Sequence, residues 1–309
     1  MITPKRVSLA RLNTPLYPLD RLSQLWDGPR IWIKRDDMTG LTLSGNKIRK
    51  LEFALGDALA QGAKAVATCG GIQSNHCRAT AVACAQLGLK CILYLRTEQP
   101  PEGKDIDGNV LIDTLVGAEI RYVTPDEYQE LGPTDEAYWI PEGASYDVGL
   151  WGYRHAAEEF RGHEFRAIVH AIGSGGTTAG LVAGAPGSRI VAVCVCDDAA
   201  FFHEKILTML AKANERWPNF HRELDTGTLE IVDGFQGEGY ARNRPEEWTL
   251  LREVARTEGV ILDPVYTVKA MMGLRAMIHE GRFEKGDDVC FLHTGGIYGL
   301  FPKRAEALA

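Results

Sequence analysis

The sequence predicts an α/β protein of two lobes, each a parallel sheet with helices on both faces, and a ligand cleft between them. Three observations lead there. Strand-like runs alternate with runs of helical periodicity along the whole chain, the pattern of βαβ units. The runs form two sets, parted by a stretch rich in proline, glycine and acidic residues over 124–145. Several strand ends then break into glycine-containing loops, the place where parallel sheets hold ligands.

Taken in order, Ile31-Trp32-Ile33-Lys34 reads as a strand that leads to the junction Ser44-Gly45-Asn46-Lys47-Ile48-Arg49-Lys50. Ala65–Cys69 is the next strand, with a helix over about Ser74–Leu87. Lys90–Leu95, a helix near Gly108–Leu115 and the strand Glu119–Val123 complete a compact repeating unit. A helix over about Asp147–Phe160 follows the break. Ala167–Ile172 opens the second set, continued by Arg189–Val195, Leu229–Val232 and Val289–His293. Helices over about Phe201–Ala213, Pro245–Glu258 and Thr267–Glu280 cover it.

Composition narrows the function classes. A chain of 309 residues, 45% hydrophobic and 24% charged, has ample core for a globular protein of one large or two medium domains. Its net charge of −7 argues against broad binding to nucleic acid or to anionic membranes. No apolar run approaches the ~20 residues that span a bilayer, and Met1-Ile2-Thr3-Pro4-Lys5-Arg6 leads into no signal-peptide core. The seven cysteines have no CxxC spacing and mostly lie in apolar runs. They read as buried thiols of a reducing cytoplasm, and the eight scattered histidines offer no metal-binding pair.

Lys47 is the most informative residue. A lysine in a cleft, with neighbouring cations such as Arg49 and Lys50, has a depressed pKa and can form a Schiff base with an aldehyde beside a phosphate. The plainer reading of the same segment is a helix capped by Ser44 or Asn46 with solvated lysines. Gly70-Gly71-Ile72-Gln73-Ser74-Asn75-His76 joins a strand to a helix N-terminus suited to a carboxylate, although Ser74 and Asn75 also serve as caps. Gly173-Ser174-Gly175-Gly176-Thr177-Thr178 follows a strand and opens a helix, as a phosphate cradle does. It matches neither the nucleotide-triphosphate nor the dinucleotide glycine pattern. Gly237-Glu238-Gly239-Tyr240, Leu262-Asp263-Pro264-Val265-Tyr266-Thr267 and Leu292-His293-Thr294-Gly295-Gly296 add two loop tyrosines and a glycine-broken strand end.

With these motifs on the page, the chain resembles the fold-type II pyridoxal-phosphate enzymes, in the branch of D-cysteine desulfhydrase and 1-aminocyclopropane-1-carboxylate (ACC) deaminase. The matching pieces are Ile33-Lys34-Arg35-Asp36-Asp37, the run from Gly45 to Phe53, Gln73-Ser74-Asn75-His76, the Gly173 loop, Asp263-Pro264-Val265-Tyr266 and His293-Thr294-Gly295-Gly296. The resemblance implies a tryptophan synthase β-like fold with pyridoxal 5′-phosphate in the cleft. It implies a large lobe of residues 1–51 and 163–309, a small lobe of 52–162, and a homodimer. Lys47 then matches the lysine that forms the internal aldimine and moves the Cα proton. Lys50 and the segment Gly173, Ser174, Gly175, Gly176 and Thr177 match the phosphate contacts, and Asn75 the neighbour of the cofactor's 3′-oxygen. Ser74, Asn75 and His76 fall where the substrate carboxylate is held, and Tyr240 and Tyr266 match two active-site tyrosines. The resemblance implies Lys47, a tyrosine or Ser74 as the group that removes the Cα proton, and Thr294 as a cofactor contact. The chain departs from the pattern at Ser44, and at Ala241-Arg242-Asn243-Arg244-Pro245 after Tyr240.

In ACC deaminases a glutamate follows the second tyrosine, near the pyridine nitrogen, and a leucine follows the histidine. Here those positions are Thr267 and Thr294. A hydroxyl facing that nitrogen holds its proton less well than a carboxylate, which suits loss of a good β-leaving group. The expected activity is therefore β-elimination from a small amino acid, giving pyruvate, ammonia and the leaving group. D-cysteine is the first substrate expected. L-cysteate is its rival, with Arg78, Arg154 or Arg242 as sulfonate partners; ACC deamination and a cysteine synthase-like β-replacement are further alternatives. A non-catalytic cofactor or amino-acid binding protein is the alternative from another class.

Overall fold

The computed structural model describes residues 3–184, 187–218, 220–221 and 228–309. Its strands are β1 (Leu16–Pro18), β2 (Arg30–Lys34), β3 (Ala65–Gly71), β4 (Lys90–Arg96), β5 (Glu119–Val123), β6 (Tyr138–Ile140), β7 (Ala167–Ile172), β8 (Arg189–Cys194), β9 (Leu229–Val232) and β10 (Asp288–Leu292). They form a six-stranded sheet in the order β1-β2-β10-β7-β8-β9 and a four-stranded sheet in the order β5-β4-β3-β6. Every pairing is parallel except β1 with β2. Two largely parallel sheets with helices packed on them are the two-lobed α/β architecture that the sequence predicts.

The larger sheet is covered on both faces, and the alternation of its strands shows it. Ile168, Ile172, Ile190, Ala192 and Leu292 face one core, while Val169, Ala171, Val191, Val193 and Phe291 face the other. Strands buried on both faces read as continuous apolar runs, which is why β7 and β8 were legible. The smaller sheet shares a third core with the helix Lys47–Ala60, through Ile48, Leu51 and Leu55 against Val66, Leu93 and Ile140.

Two parts differ from the sequence reading. β1 and the helix Asp20–Trp26 were not anticipated. A three-residue strand and a seven-residue helix without a side-chain cap are too short to show a period. The stretch 124–145, read as a break, holds β6 as an edge strand beside β3 and a short helix, Pro125–Gln129. Thr124 and Glu127 close a capping box on that helix. The helix Asp147–Ala156 buries Val148, Leu150, Trp151 and Tyr153 in the core of the larger sheet.

Candidate active site

The C-terminal ends of β3, β4, β6, β7, β8 and β10 open on one cavity of about 360 Å³, between the two sheets. That size and position suit a cofactor with a small substrate. Eleven of the expected residues line it: Lys47, Ser74, Asn75, His76, Gly173, Ser174, Gly175, Thr177, Tyr240, Tyr266 and Thr294.

Lys47 is delivered by a loop that only glycine can build. Gly45 has φ +107°, and a Cβ there would lie 2.8 Å from the Thr294 carbonyl oxygen. The following Asn46 N–H donates to that same oxygen at 3.0 Å. Asn46 occupies the N-cap position of the helix Lys47–Ala60, yet its side chain makes no cap bond. Instead it donates to Thr177 Oγ1 (3.0 Å) and accepts from Lys47 Nζ (2.9 Å). The Lys47 amine also lies 5.6 Å from the centroid of the Tyr266 ring, and the Tyr266 and Tyr240 hydroxyls are 2.8 Å apart. Burial pulls the lysine from 10.5 down to about 8; Asp263 and Glu142 oppose the shift and Arg78 reinforces it.

Only the neutral amine attacks an aldehyde, and its share rises with pH until the lysine is fully deprotonated. Pyridoxal 5′-phosphate, the cofactor that the resemblance implies, should therefore bind covalently to the cofactor-free chain at a rate that climbs through a midpoint near pH 8 and then levels. Absorbance of the lysine-linked cofactor reads this directly, and a rate flat between pH 7 and 9 would contradict the assignment.

The glycine loop after β7 has the makings of an anion site. Among the described residues the N–H groups of Ser174, Gly175, Thr177 and Thr178 have no hydrogen-bond acceptor. Gly175 sits at φ +86°, and a Cβ on it would meet Met209 at 2.8 Å. Ser145 braces the loop by accepting from the Gly176 N–H (3.2 Å) and bonding Ser174 Oγ (2.8 Å). Behind it lies Lys50, fully buried and outside the cavity lining, with Ser145 Oγ at 3.5 Å as its partner among the described residues. Burial, with Lys47 and Lys205 nearby, pushes the Lys50 ammonium well below its usual range. A buried cation without a counter-charge beside unused N–H donors fits a phosphate.

The opposite wall begins at Ser74, which does cap the helix Asn75–Leu87 by accepting from the Cys77 N–H (3.2 Å). Its own O–H remains free to donate, and the Asn75 and His76 N–H groups donate to no described residue. The cap and the carboxylate-site readings of Ser74 are thus compatible. Asn75 is fixed by Asn109, whose Nδ2 donates to Asn75 Oδ1 at 3.2 Å. Thr68 gives its hydroxyl proton to the Ile140 carbonyl (2.7 Å), so His76 Nε2–H donates to Thr68 Oγ1 (2.8 Å). His76 Nδ1 is then a buried acceptor without a partner among the described residues, and burial keeps the ring neutral.

Several expectations need correction. Thr267 does not face the cavity: its hydroxyl donates to Asp263 Oδ1 at 2.7 Å, and it is fully buried. Asp263 also accepts the N–H groups of Val265, Tyr266 and Thr267, and so organises the start of the helix Thr267–His279. Arg49 meets no phosphate, because its guanidinium pairs with Asp36 (2.8 Å) and Glu159 (2.6 Å) on the far side of its helix. Arg78, Arg154 and Arg242 do not line the cavity. Arg96, Glu142 and Lys205 do, and none of them is in an ion pair among the described residues. Their signal was position: Arg96 is the last residue of β4, Glu142 lies just past β6, and Lys205 is on the helix Ala199–Arg216 after β8. The departure after Tyr240 is accommodated by Ala241 at φ +59° and by Asn243, which donates to Glu247 (2.7 Å) and to the Pro264 carbonyl.

A buried lysine with a depressed pKa, a glycine loop with unused N–H donors and a helix N-terminus meet in one cavity, an arrangement suited to an enzyme that carries an aldehyde cofactor on a lysine. The family model described as "Pyridoxal-phosphate dependent enzyme" matches residues 7–295, and the chain belongs to this family. It is 42% identical to a Thermotoga maritima protein named "Putative 1-aminocyclopropane-1-carboxylate deaminase", over 96% of this chain and 97% of that one. It is 38% identical to the "Bifunctional D-cysteine desulfhydrase/1-aminocyclopropane-1-carboxylate deaminase, mitochondrial" of Arabidopsis thaliana, over 96% of this chain and 79% of that one. The crystal structure of an ACC deaminase homologue superposes with a TM-score of 0.86 at 34% identity, covering 99% of this chain and 96% of that one. The protein is a pyridoxal-phosphate-dependent enzyme of the lyase and deaminase kind. Among the described residues no helix is long and apolar enough to cross a membrane.

Proposed function

We propose that the protein is a β-eliminating lyase whose substrate is D-cysteine and whose products are sulfide, pyruvate and ammonia. The observation that carries the reading is the pair of phenols beside the lysine. The Tyr266 and Tyr240 hydroxyls, 2.8 Å apart, give the cavity a pair of proton donors beside the base, Lys47, whose amine lies over the Tyr266 ring. Burial holds the Tyr266 hydroxyl well above its usual range, so it stays protonated until a developing thiolate calls for the proton.

The residues present fit pyridoxal 5′-phosphate. Lys47 would hold its aldehyde, Lys50 with the N–H groups of Ser174, Gly175, Thr177 and Thr178 its phosphate, and Asn75 its 3′-oxygen. The Gly176 N–H, expected among the phosphate contacts, is taken by Ser145. Bound there, the cofactor draws electrons from the substrate's Cα. The chain's own residues do the rest. Ser74 Oγ–H and the Asn75 and His76 N–H groups hold the substrate carboxylate at the positive end of their helix. The Lys47 amine takes the Cα proton, aided by a depressed pKa that keeps a large share of it neutral near pH 8. A tyrosine hydroxyl gives a proton to the departing sulfur. Both phenols line the cavity, and Tyr240 remains 36% exposed.

The names of the relatives favour a second reading, ACC deamination. Against it stands the side chain after Tyr266: Thr267 supplies no carboxylate, and its hydroxyl is committed to Asp263. Arg96, a cation in the cavity wall without an ion-pair partner among the described residues, favours the L-cysteate reading over a neutral β-substituent. One assay separates all three. D-cysteine should release sulfide and pyruvate, while ACC should yield little 2-oxobutanoate. Sulfite from L-cysteate at a comparable rate, or ACC turnover matching that of D-cysteine, overturns the proposal in favour of the corresponding rival.

A further inference from the structure

We propose that Arg78 is a positioning residue for Lys47: it ties the loop that delivers the lysine to the helix Asn75–Leu87 and sets an uncompensated guanidinium charge in the field of the amine. Arg78 is fully buried. Its Nη2 donates to the Ser44 carbonyl at 2.9 Å and its Nη1 to the Thr42 carbonyl, both in the loop that ends at Lys47. Its Nε donates to Asn109 Oδ1 at 3.1 Å, and the Tyr298 ring lies 5.1 Å from the guanidinium. Asn109 continues the chain of contacts to the Gln73 carbonyl (3.0 Å) and to Asn75 Oδ1 (3.2 Å). One fork therefore holds the lysine loop and the wall opposite it in register.

Every acceptor on Arg78 is neutral. Carbonyl and amide oxygens solvate a guanidinium without cancelling its charge, which acts over a longer range than a hydrogen bond. The nearest candidate for a counter-charge is Asp113, one turn beyond Asn109. It is fully buried, and both of its oxygens lack a partner among the described residues. Burial pushes its carboxyl up to about 8 despite the nearby Arg78, so at neutral pH it is protonated and leaves the cation uncancelled.

The groups facing Lys47 come from every element around it. Asp263 and Glu142 favour the ammonium. Burial disfavours it most, and Arg78 adds to that. His76 is neutral and Tyr266 keeps its proton. Arg78 is therefore the fixed cation that offsets two carboxyl groups.

The inference rests on Lys47 taking up the cofactor aldehyde and is independent of the substrate. The experiment follows covalent uptake of pyridoxal 5′-phosphate by the full chain freed of cofactor, by absorbance, from about pH 6.5 to about pH 10, a range that brackets the lysine's titration. Arg78→Gln keeps an amide donor and loses the charge. Its midpoint should lie above the unmodified protein's by roughly 0.5–1 pH unit, making uptake at pH 7 about three- to tenfold slower. Arg78→Lys keeps the charge and loses the fork, so its midpoint should stay while its plateau rate falls. An unshifted midpoint in Arg78→Gln, or an equal shift in Arg78→Lys, overturns the proposal. Should Arg78→Gln fail to fold, Asp113→Asn decides: it removes the group that cancels the charge on ionising, so its midpoint must fall below the unmodified one. An equal or higher midpoint overturns the proposal as well. If Lys47 is not the attachment site, the unmodified chain shows no midpoint near 8, an outcome distinct from any of these.

Discussion

Replacing Lys47 by alanine should abolish covalent retention of the cofactor and lower elimination by at least the ~10²–10⁴-fold that a positioned general base contributes. The fold should survive. The amine makes one hydrogen bond among the described residues, to Asn46, and the helix it opens is anchored by Ile48, Leu51 and Leu55 in the core. Borohydride reduction of the native protein followed by peptide mapping checks the premise: the pyridoxyl group should be found on Lys47. Lys50 and Lys205 are the other lysines close enough to compete, and an adduct on either would refute the assignment.

Lys50→Met should move two measured quantities in opposite directions. A buried ammonium without a counter-charge costs the cofactor-free protein several kcal/mol of desolvation unless it gives up its proton, and Lys50 is such a group. Methionine fills similar space without that cost, so the cofactor-free variant should melt at a higher temperature than the parent. A charge-assisted hydrogen bond to a phosphate is worth about 1.5–3 kcal/mol, so cofactor affinity should fall roughly 10- to 100-fold. Thermal unfolding with and without added pyridoxal 5′-phosphate reads both effects. A variant that binds the cofactor as tightly as the parent would show that Lys50 is structural only.

Much of this architecture was legible because buried parallel strands and glycine-broken strand ends leave strong marks in a sequence. β7 and its loop are apolar, then glycine-rich, and both features survive in the structure. What escaped notice was of two kinds. Short elements such as β1 and β6 have too few residues to show a period, and pairing with a neighbour stabilises them. Side-chain destinations on a single helix were the other. Asn46 looked like a cap and turns instead to Thr177 and Lys47. Arg49 and Lys50 looked alike and part company, one into an ion-pair cluster and the other toward the phosphate cradle. Thr267 follows the active-site tyrosine directly, yet its hydroxyl is captured by Asp263 four residues back. Adjacency along the chain fixes the backbone's neighbourhood and says little about which acceptor a side chain finds.

The first turn of the helix Lys47–Ala60 sends three cations to three destinations: the cavity, the Asp36–Glu159 cluster and the glycine loop. What separates them is angular phase, since each residue advances an α-helix by about 100° and 1.5 Å. A substitution at any one of the three disturbs one destination. One residue inserted after Ile48 would turn Arg49 and Lys50 together, leaving Asp36 and Glu159 without their cation and the cradle without its own. The site is therefore written in rotation as much as in residue type. Descendants of this chain can vary side chains around the cavity, while insertions and deletions in that single turn are barred.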